Sequence, residues 1–322
     1  MSKTALITGI TGQDGSYLAE YLLENGYRVF GLIRRNSVTE HQQNRLEHFS
    51  HRVHNEYGDV LDVSSIDRIM SESKPDEIYN LAAQSHVQVS FEIPQFTVQT
   101  NALGTLNVLE SMRKYAPKAR FYQASSSEMF GNSVDGDGKQ RETTRMTPVS
   151  PYGCSKLFSY SIVRNYRNAY KLFAANGILF NHESPRRASN FVTSKIVKNA
   201  VLIARGKATK LELGNLDSQR DWGHSKDYVR AMHLILQHHE PDDFVVSTGE
   251  THSIRDFCDI VFGKLGLDYR SYVVQNPKFM RREELRYLCG DCSKAKQILG
   301  WKPTYTLDSL VEEMIALWKE QL

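Results

Sequence analysis

Residues 3–26, KTALITGITGQDGSYLAEYLLENG, run from a short apolar segment into a turn with glycines at 9, 12 and 15. Tyr17, Leu18, Tyr21 and Leu22 then recur at helical spacing before Asn25-Gly26 stops the pattern. The spacing predicts strand, glycine turn, helix. Working outward, Arg28–Ile33, Val53–Tyr57, Glu77–Leu81 and Phe121–Ser125 read as further strands, with polar or helical stretches between them. A long helix should follow Pro151, and Ala174–Phe180 has the composition of another buried strand. Strands alternating with helices imply right-handed crossovers and a mainly parallel sheet, hence an α/β, doubly wound fold. Beyond Asn181 the pattern is irregular: ESPRRASN is turn-rich, a helix is predicted over Phe191–Ala204, and short segments rejoin the first lobe around Phe244–Ser247. The chain thus divides into a lobe of residues 1–180 and 216–249 and a smaller, mostly C-terminal α/β lobe of residues 181–215 and 250–322, sharing one cleft.

At 322 residues the chain exceeds a single small core, and its 40% hydrophobic and 24% charged residues are those of an ordinary globular protein. A net charge of only +3 gives no reason to expect nucleic acid or an anionic membrane as partner. The start, MSKTALITG, lacks the pattern of a secretory signal, and no apolar run approaches the roughly 20 residues of a spanning helix. Cys154, Cys258, Cys289 and Cys292 do not form a secreted disulfide framework. A soluble, cytoplasmic protein is expected.

Gly9, Thr11, Gly12, Gln13, Asp14 and Gly15 lie at the strand-to-helix junction. Glycines there permit a tight turn and let backbone N–H groups approach a pyrophosphate, whose charge the helix N-terminus favours, so dinucleotide binding by a Rossmann-type lobe is expected. An incidental glycine turn is the alternative. After the second strand, where a carboxylate would hold ribose hydroxyls, stand Arg34 and Arg35. Guanidinium groups suit a 2′-phosphate, so NADP is the expected cofactor, against the plainer reading of a solvated basic turn. Asp59 and Val60 are placed for the adenine edge, and Leu81, Ala82, Ala83 and Ser85 for the middle of the cofactor.

Tyr152 and Lys156 are four apart at the start of a predicted helix, so their side chains share a face. A lysine ammonium near a phenol favours the phenolate and brings tyrosine toward the range useful for proton transfer. Y-x-x-x-K also arises by chance on surface helices; here it follows the fifth strand. Upstream, Ser126 and Glu128 lie two apart where that strand ends, which puts them on one side if the strand persists. The serine can bond the reacting oxygen, and the glutamate adds an acid/base that simple alcohol oxidation does not require. A turn glutamate capping a helix is the alternative.

These motifs, read with FNHESPRR (180–187), NFVTSKI, GNLDSQRDWGH, TGETHSIR and KAKQILGW, resemble the extended short-chain dehydrogenase/reductase family and, within it, the 4,6-dehydratases of GDP-mannose, over nearly the whole chain. The resemblance implies an internal redox cycle. Tyr152 takes the O4 proton as hydride leaves C4 for NADP; Glu128 moves the C5 proton while water leaves C6, and the hydride returns to C6. Glucose-nucleotide dehydratases carry an aspartate where this chain has Ser127, so Glu128 would serve both steps. By the same resemblance Asn181, Lys195, Arg220, Arg281 and Glu284 would hold the GDP-sugar, and His182 and Arg187 would line the nicotinamide side. Oligomerisation as a dimer or tetramer is also implied.

The chain departs from the family pattern at Arg282 and Arg286, where proline and aspartate would stand, at Ser194, where arginine is usual, and over Asn36–Asn44. Rival readings are a dehydratase of another GDP-hexose or heptose, a 4-keto-6-deoxy-sugar-nucleotide reductase, and a non-catalytic NADP-sensing regulator. The lone C-x-x-C of Cys289 and Cys292 lacks a second ligand pair, so no metal is expected. His41, His48, His51 and His54 are read as loop residues, and Leu310, Met314 and Leu317 as a packing stripe.

Overall fold

The strands β1 (Thr4–Thr8), β2 (Arg28–Ile33), β3 (Val53–Tyr57), β4 (Glu77–Asn80), β5 (Arg120–Ser126), β6 (Phe173–Leu179) and β7 (Asp243–Val246) form one sheet in the order β7-β6-β5-β4-β1-β2-β3. Every neighbouring pair is parallel. This is the architecture of the computed structural model, which describes residues 2–35 and 44–322. The crossover helices are α1 (Gln13–Glu24), α2 (Val63–Ser73), α3 (Gly104–Tyr115) and α4 (Pro151–Tyr170). Further along lie α5 (Val192–Ala204), α6 (Ser225–Gln237), α7 (Ile254–Gly263) and α8 (Leu307–Gln321).

The two-residue period of β1 divides the core. Ala5 and Ile7 join a cluster with Leu18 and Leu22 of α1 and Met232 and Ile235 of α6. Leu6 joins the opposite cluster, with Met70 of α2, Val108 and Met112 of α3 and Val163 of α4. A separate cluster beyond the sheet gathers Ile196 and Val201 of α5, Phe257 and Val261 of α7, and Leu310 and Met314 of α8. Leu317 is only half-buried.

Several boundaries move. β4 stops at Asn80, β6 starts and ends one residue before the expected Ala174–Phe180, and β7 runs Asp243–Val246. Phe191 is the N-cap of α5 and not its first residue. The histidine-bearing stretch, expected as loop, forms a 3-10 helix over Asn44–Arg52, because Leu46 and Phe49, three apart and buried, pack it against the α1 face of the core. In it His48 bonds Glu20, while His54 in β3 stacks on Phe30. His41 and the stretch Asn36–Gln43 of the divergent loop lie outside the described residues.

Candidate active site

The sheet delivers the predicted residues to one edge: Gly9, Arg34, Asp59, Leu81, Ser126 and Asn181 all stand at or just past the carboxyl ends of strands. Gly9 has φ +72°, and a Cβ there would lie 2.8 Å from Ala82 N. A Cβ on Gly15 would lie 2.3 Å from Gly9 O, so α1 can start this close to the strand only with glycine. Gly12, the N-cap of α1, has no side chain to cap the helix, and none among the described residues does so. Thr8 Oγ1 accepts from the N–H groups of Leu81 and Ala82, both at 3.1 Å, which binds the 81–85 segment to the end of β1. Asn107 donates to Val60 O at 2.9 Å and holds the Asp59-Val60 turn over the sheet. Arg34 and Arg35 are exposed past β2, with Arg34 lying 5.9 Å from the Phe96 ring centre.

Asp14 and His182 join the glycine turn to the segment after β6. His182 bonds Phe180 O through Nδ1 and Asp14 Oδ2 through Nε2, each at 2.7 Å. With acceptors at both nitrogens, the imidazole fits as a cation. Burial pulls its pKa down, but the Asp14 carboxylate and the Phe180 carbonyl outweigh burial and the net shift is upward. Burial pushes Asp14 up, His182 outweighs it, and Asp14 ends below its usual range. A histidine raised in the folded state contributes stability in full below its unfolded pKa, about 6.5, and loses it as pH rises through the folded value. The stability gap between the native protein and His182→Asn is therefore expected to shrink as pH rises from 6 to 9 in thermal unfolding; a gap that widens contradicts the charged pair.

Tyr152 occupies the first turn of α4, which Ser150 caps by accepting from Gly153 N at 3.0 Å. Gly153 permits the close approach, since a Cβ there would lie 2.9 Å from Glu128 O. The four-residue spacing predicts that Lys156 draws the phenol down. Instead burial pushes Tyr152 up to about 12, against the pull of the adjacent Ser126 hydroxyl. Lys156 is itself lowered to about 8 by burial, and its Nζ donates to Ala124 O at 2.8 Å, 5.8 Å from the phenol ring centre. Desolvation outweighs charge here because the ammonium is turned to a carbonyl.

Glu128 does not continue β5. The strand ends at Ser126, and Ser127–Phe130 form a buried 3-10 turn in which Ser126 Oγ accepts from Glu128 N at 3.2 Å. The turn, and not strand alternation, aims the carboxylate: Glu128 Oε1 accepts from Arg281 Nη1 at 3.1 Å, while the buried Oε2 has no hydrogen-bond partner among the described residues. Gly131 closes the turn at φ +57° and ψ −134°, where a Cβ would lie 1.9 Å from Thr147 O. Gly131→Ala should cost more than about 2 kcal/mol in urea unfolding; a loss under half of that contradicts the strained turn.

The remaining predicted residues fall in two groups. Arg220 is buried, donates to Gln219 O at 2.8 Å and stands 3.8 Å from Glu284. Burial first, and then neighbouring Arg281, lower it to about 10. Glu284 also accepts from Ser218 at 3.1 Å. Asn181 Oδ1 is buried without a partner among the described residues. Arg187 Nε lies 2.9 Å from Glu183 Oε2, ion-pair distance but off the hydrogen-bonding angle. Lys195 stands apart on α5, donating to Glu212 O at 2.7 Å and covering the Phe279 ring at 3.9 Å. Ser194 is buried and donates to Arg187 O. Cys289 and Cys292 are buried free thiols, and the described residues contain no cluster of three or more potential metal ligands.

Three positioning residues escape a reading of sequence. Asn101, in a π turn over Gln99–Leu103, binds the backbone of Gln84 in both directions, at 2.9 and 3.1 Å, and donates to Ser155 at 2.9 Å. Asn132 holds the segment of the Arg281 loop at Glu284 O and Arg286 N. Asp221 accepts from Thr248, Gly249 and Gly290, and burial raises it to about 6. Each is an ordinary polar residue whose partners are distant in sequence; only the π turn leaves a local trace, as an extra residue in a helical stretch.

A doubly wound parallel sheet with a glycine turn after its first strand, a serine and a glutamate at the end of its fifth, and a tyrosine and a lysine on the helix that follows defines an extended short-chain dehydrogenase/reductase. The family model described as GDP-mannose 4,6 dehydratase matches residues 6–314. GDP-mannose 4,6 dehydratase 1 of Arabidopsis thaliana is 50% identical over 325 residues, covering 97% of this chain and 89% of that one. GDP-mannose 4,6 dehydratase of Homo sapiens is 47% identical over 338 residues, covering 97% and 90%. The solved UDP-glucose 4-epimerase of Thermus thermophilus, a complex with NAD, superposes with a TM-score of 0.86 at 25% identity, covering 99% of this chain and 100% of that one. The chain belongs to the GDP-mannose 4,6-dehydratase family, a family of hydro-lyases.

Proposed function

We propose that the protein converts GDP-mannose to GDP-4-keto-6-deoxymannose by an internal hydride cycle on NADP. The observation that carries this is the buried Glu128 carboxylate meeting a cleft arginine, Arg281, on the turn that directly follows Ser126. A sugar epimerase has no use for that extra acid/base. The uncapped start of α1 and the glycine cradle, which added Cβ atoms would fill, suit a dinucleotide pyrophosphate. When bound, the nicotinamide would accept the C4 hydride and give it back at C6. Tyr152 takes the O4 proton, Ser126 bonds that oxygen, and Lys156 supplies positive charge beside them. The resulting 4-keto group acidifies C5–H; Glu128 removes that proton, assists departure of the C6 hydroxyl as water, and reprotonates C5. Incubation with a small panel of GDP-sugars, without added NADPH, should yield from GDP-mannose a product lighter by one water. A product unchanged in mass from every member refutes the reading.

NADP rather than NAD is assigned because exposed Arg34 and Arg35 stand just past β2, at the position where a carboxylate would hold ribose hydroxyls. Arg35→Asp should weaken NADP about ten- to a hundredfold, the size of a lost charge-assisted bond, and leave NAD nearly unaffected in fluorescence titration; equal losses for both contradict the assignment. Asn181, Lys195, Arg220, Arg281 and Glu284 are assigned to the GDP-sugar, and His182 and Arg187 to the nicotinamide side. The lobes are assigned as residues 1–180 and 216–249 for the cofactor and 181–215 and 250–322 for the sugar nucleotide; the separate apolar clusters support two lobes, with Cys292, Ala295 and Trp301 packing into the sheet's cluster and Leu216 and Trp222 into the other. Exposed Phe96, Val98, Leu103 and Phe158 offer apolar surface for a homo-oligomer. Four free cysteines, and the lack among described residues of a helix long and apolar enough to cross a membrane, favour the cytoplasm.

A further inference from the structure

The contact between Glu128 and Arg281 joins two residues to which the proposed function gives different work, one for the sugar and one for the nucleotide. The pair joins a buried carboxylate to a partly exposed cation: the Glu128 side chain is 8% exposed and that of Arg281 is 26% exposed, so the guanidinium is the partner an incoming ligand can reach. We infer that Arg281 serves two anions in turn, holding Glu128 until the diphosphate of a nucleoside diphosphate draws the guanidinium away, so that the carboxylate is released for proton transfer only once the nucleotide is seated. The inference rests on the reading of this cleft as a sugar-nucleotide site.

The charges make the exchange favourable in one direction. Arg281 and Arg220 face Glu128 and Glu284, two cations against two carboxylates. A diphosphate brings more negative charge than a single carboxylate and accepts a forked guanidinium bond, so it outcompetes Glu128 for Arg281. Arg220 does not take over the vacated position, being held by Gln219 O and buried. The backbone need not move, because Asn132 fixes the loop at Glu284 and Arg286 while Arg281 swings on its own torsions. Once free, Glu128 has Tyr152 from α4 and Arg220 from the short strand Gln219–Arg220 as its charged or titratable neighbours. The carboxylate then keeps its buried, poorly solvated setting without the counter-ion that held its electron pairs.

The test is a double-mutant cycle on binding, read by calorimetry with GDP as the probe and NADP-saturated protein. Glu128→Gln should tighten GDP about three- to tenfold, since no ion pair has to be broken. In an Arg281→Met background the same change should leave affinity where it was, and Arg281→Gln should behave alike; stoichiometric NADP binding by each variant verifies the fold. No gain in the single variant overturns the inference. So does a gain that persists without Arg281, which would mean simple repulsion between a carboxylate and an anion. If GDP fails to bind the native protein, the sugar-nucleotide reading falls and this one with it; if GDP binds without coupling, this one falls alone.

Discussion

Tyr152→Phe is expected to lower turnover of GDP-mannose by about 10²–10⁴-fold, the usual worth of a positioned acid/base, while NADP affinity stays nearly unchanged. Position is the first reason. The Ser150 cap and Gly153 set the first turn of α4 directly against the turn that carries Glu128, so the phenol is held by elements its own hydroxyl does not support. Phenylalanine should therefore leave the fold intact and remove only the proton acceptor. With burial holding the phenol at about 12, proton removal from O4 depends on positive charge brought close at the moment of reaction. Lys156, lowered to about 8, is still mainly protonated at pH 7 and is the cation in place to supply it. Steady-state kinetics check the prediction: a loss below tenfold means that another group takes the proton.

The second large effect concerns Glu128. Glu128→Gln should reduce dehydration by a similar factor of about 10²–10⁴ and abolish exchange of C5–H with solvent deuterium, because the amide can keep a bond to Arg281 but cannot carry the proton. Tyr152 and Lys156 are untouched, so oxidation at C4 should survive. The two variants thus fail at different steps, and mass analysis after incubation in D2O separates them. Deuterium entering C5 at the native rate in Glu128→Gln would transfer the role to another residue, with Tyr152 the nearest alternative.

Much of the fold is legible in one dimension because the signals are local. β2 is readable to the residue, since its apolar run is bounded by a glycine turn and two arginines; β3 also matches to the residue, with Val53 as its one fully buried position. The same holds for the start of α4, where Ser150 and Pro151 supply cap and first turn. The direction of Glu128 is not legible. Strand alternation places it beside Ser126, whereas Gly131 in a left-handed conformation closes a 3-10 turn and re-aims it. Its partner Arg281 is 153 positions away, beyond any pattern. Polarity misleads along Asn44–Arg52, where the charged face hides the two buried residues that make a helix. The expected lowering of Tyr152 by Lys156 fails for a different reason: spacing fixes a shared face but not whether the ammonium points to the phenol or to Ala124 O.

In the proposed cycle one electron pair leaves and re-enters the same sugar. GDP-mannose carrying deuterium at C4, turned over in ordinary water with catalytic NADP, tests it directly. The mechanism predicts product with the label at C6 of the same molecule and a solvent-derived hydrogen at C5. Label lost to the medium, or passed to an unlabelled sugar mixed into the reaction, would contradict it.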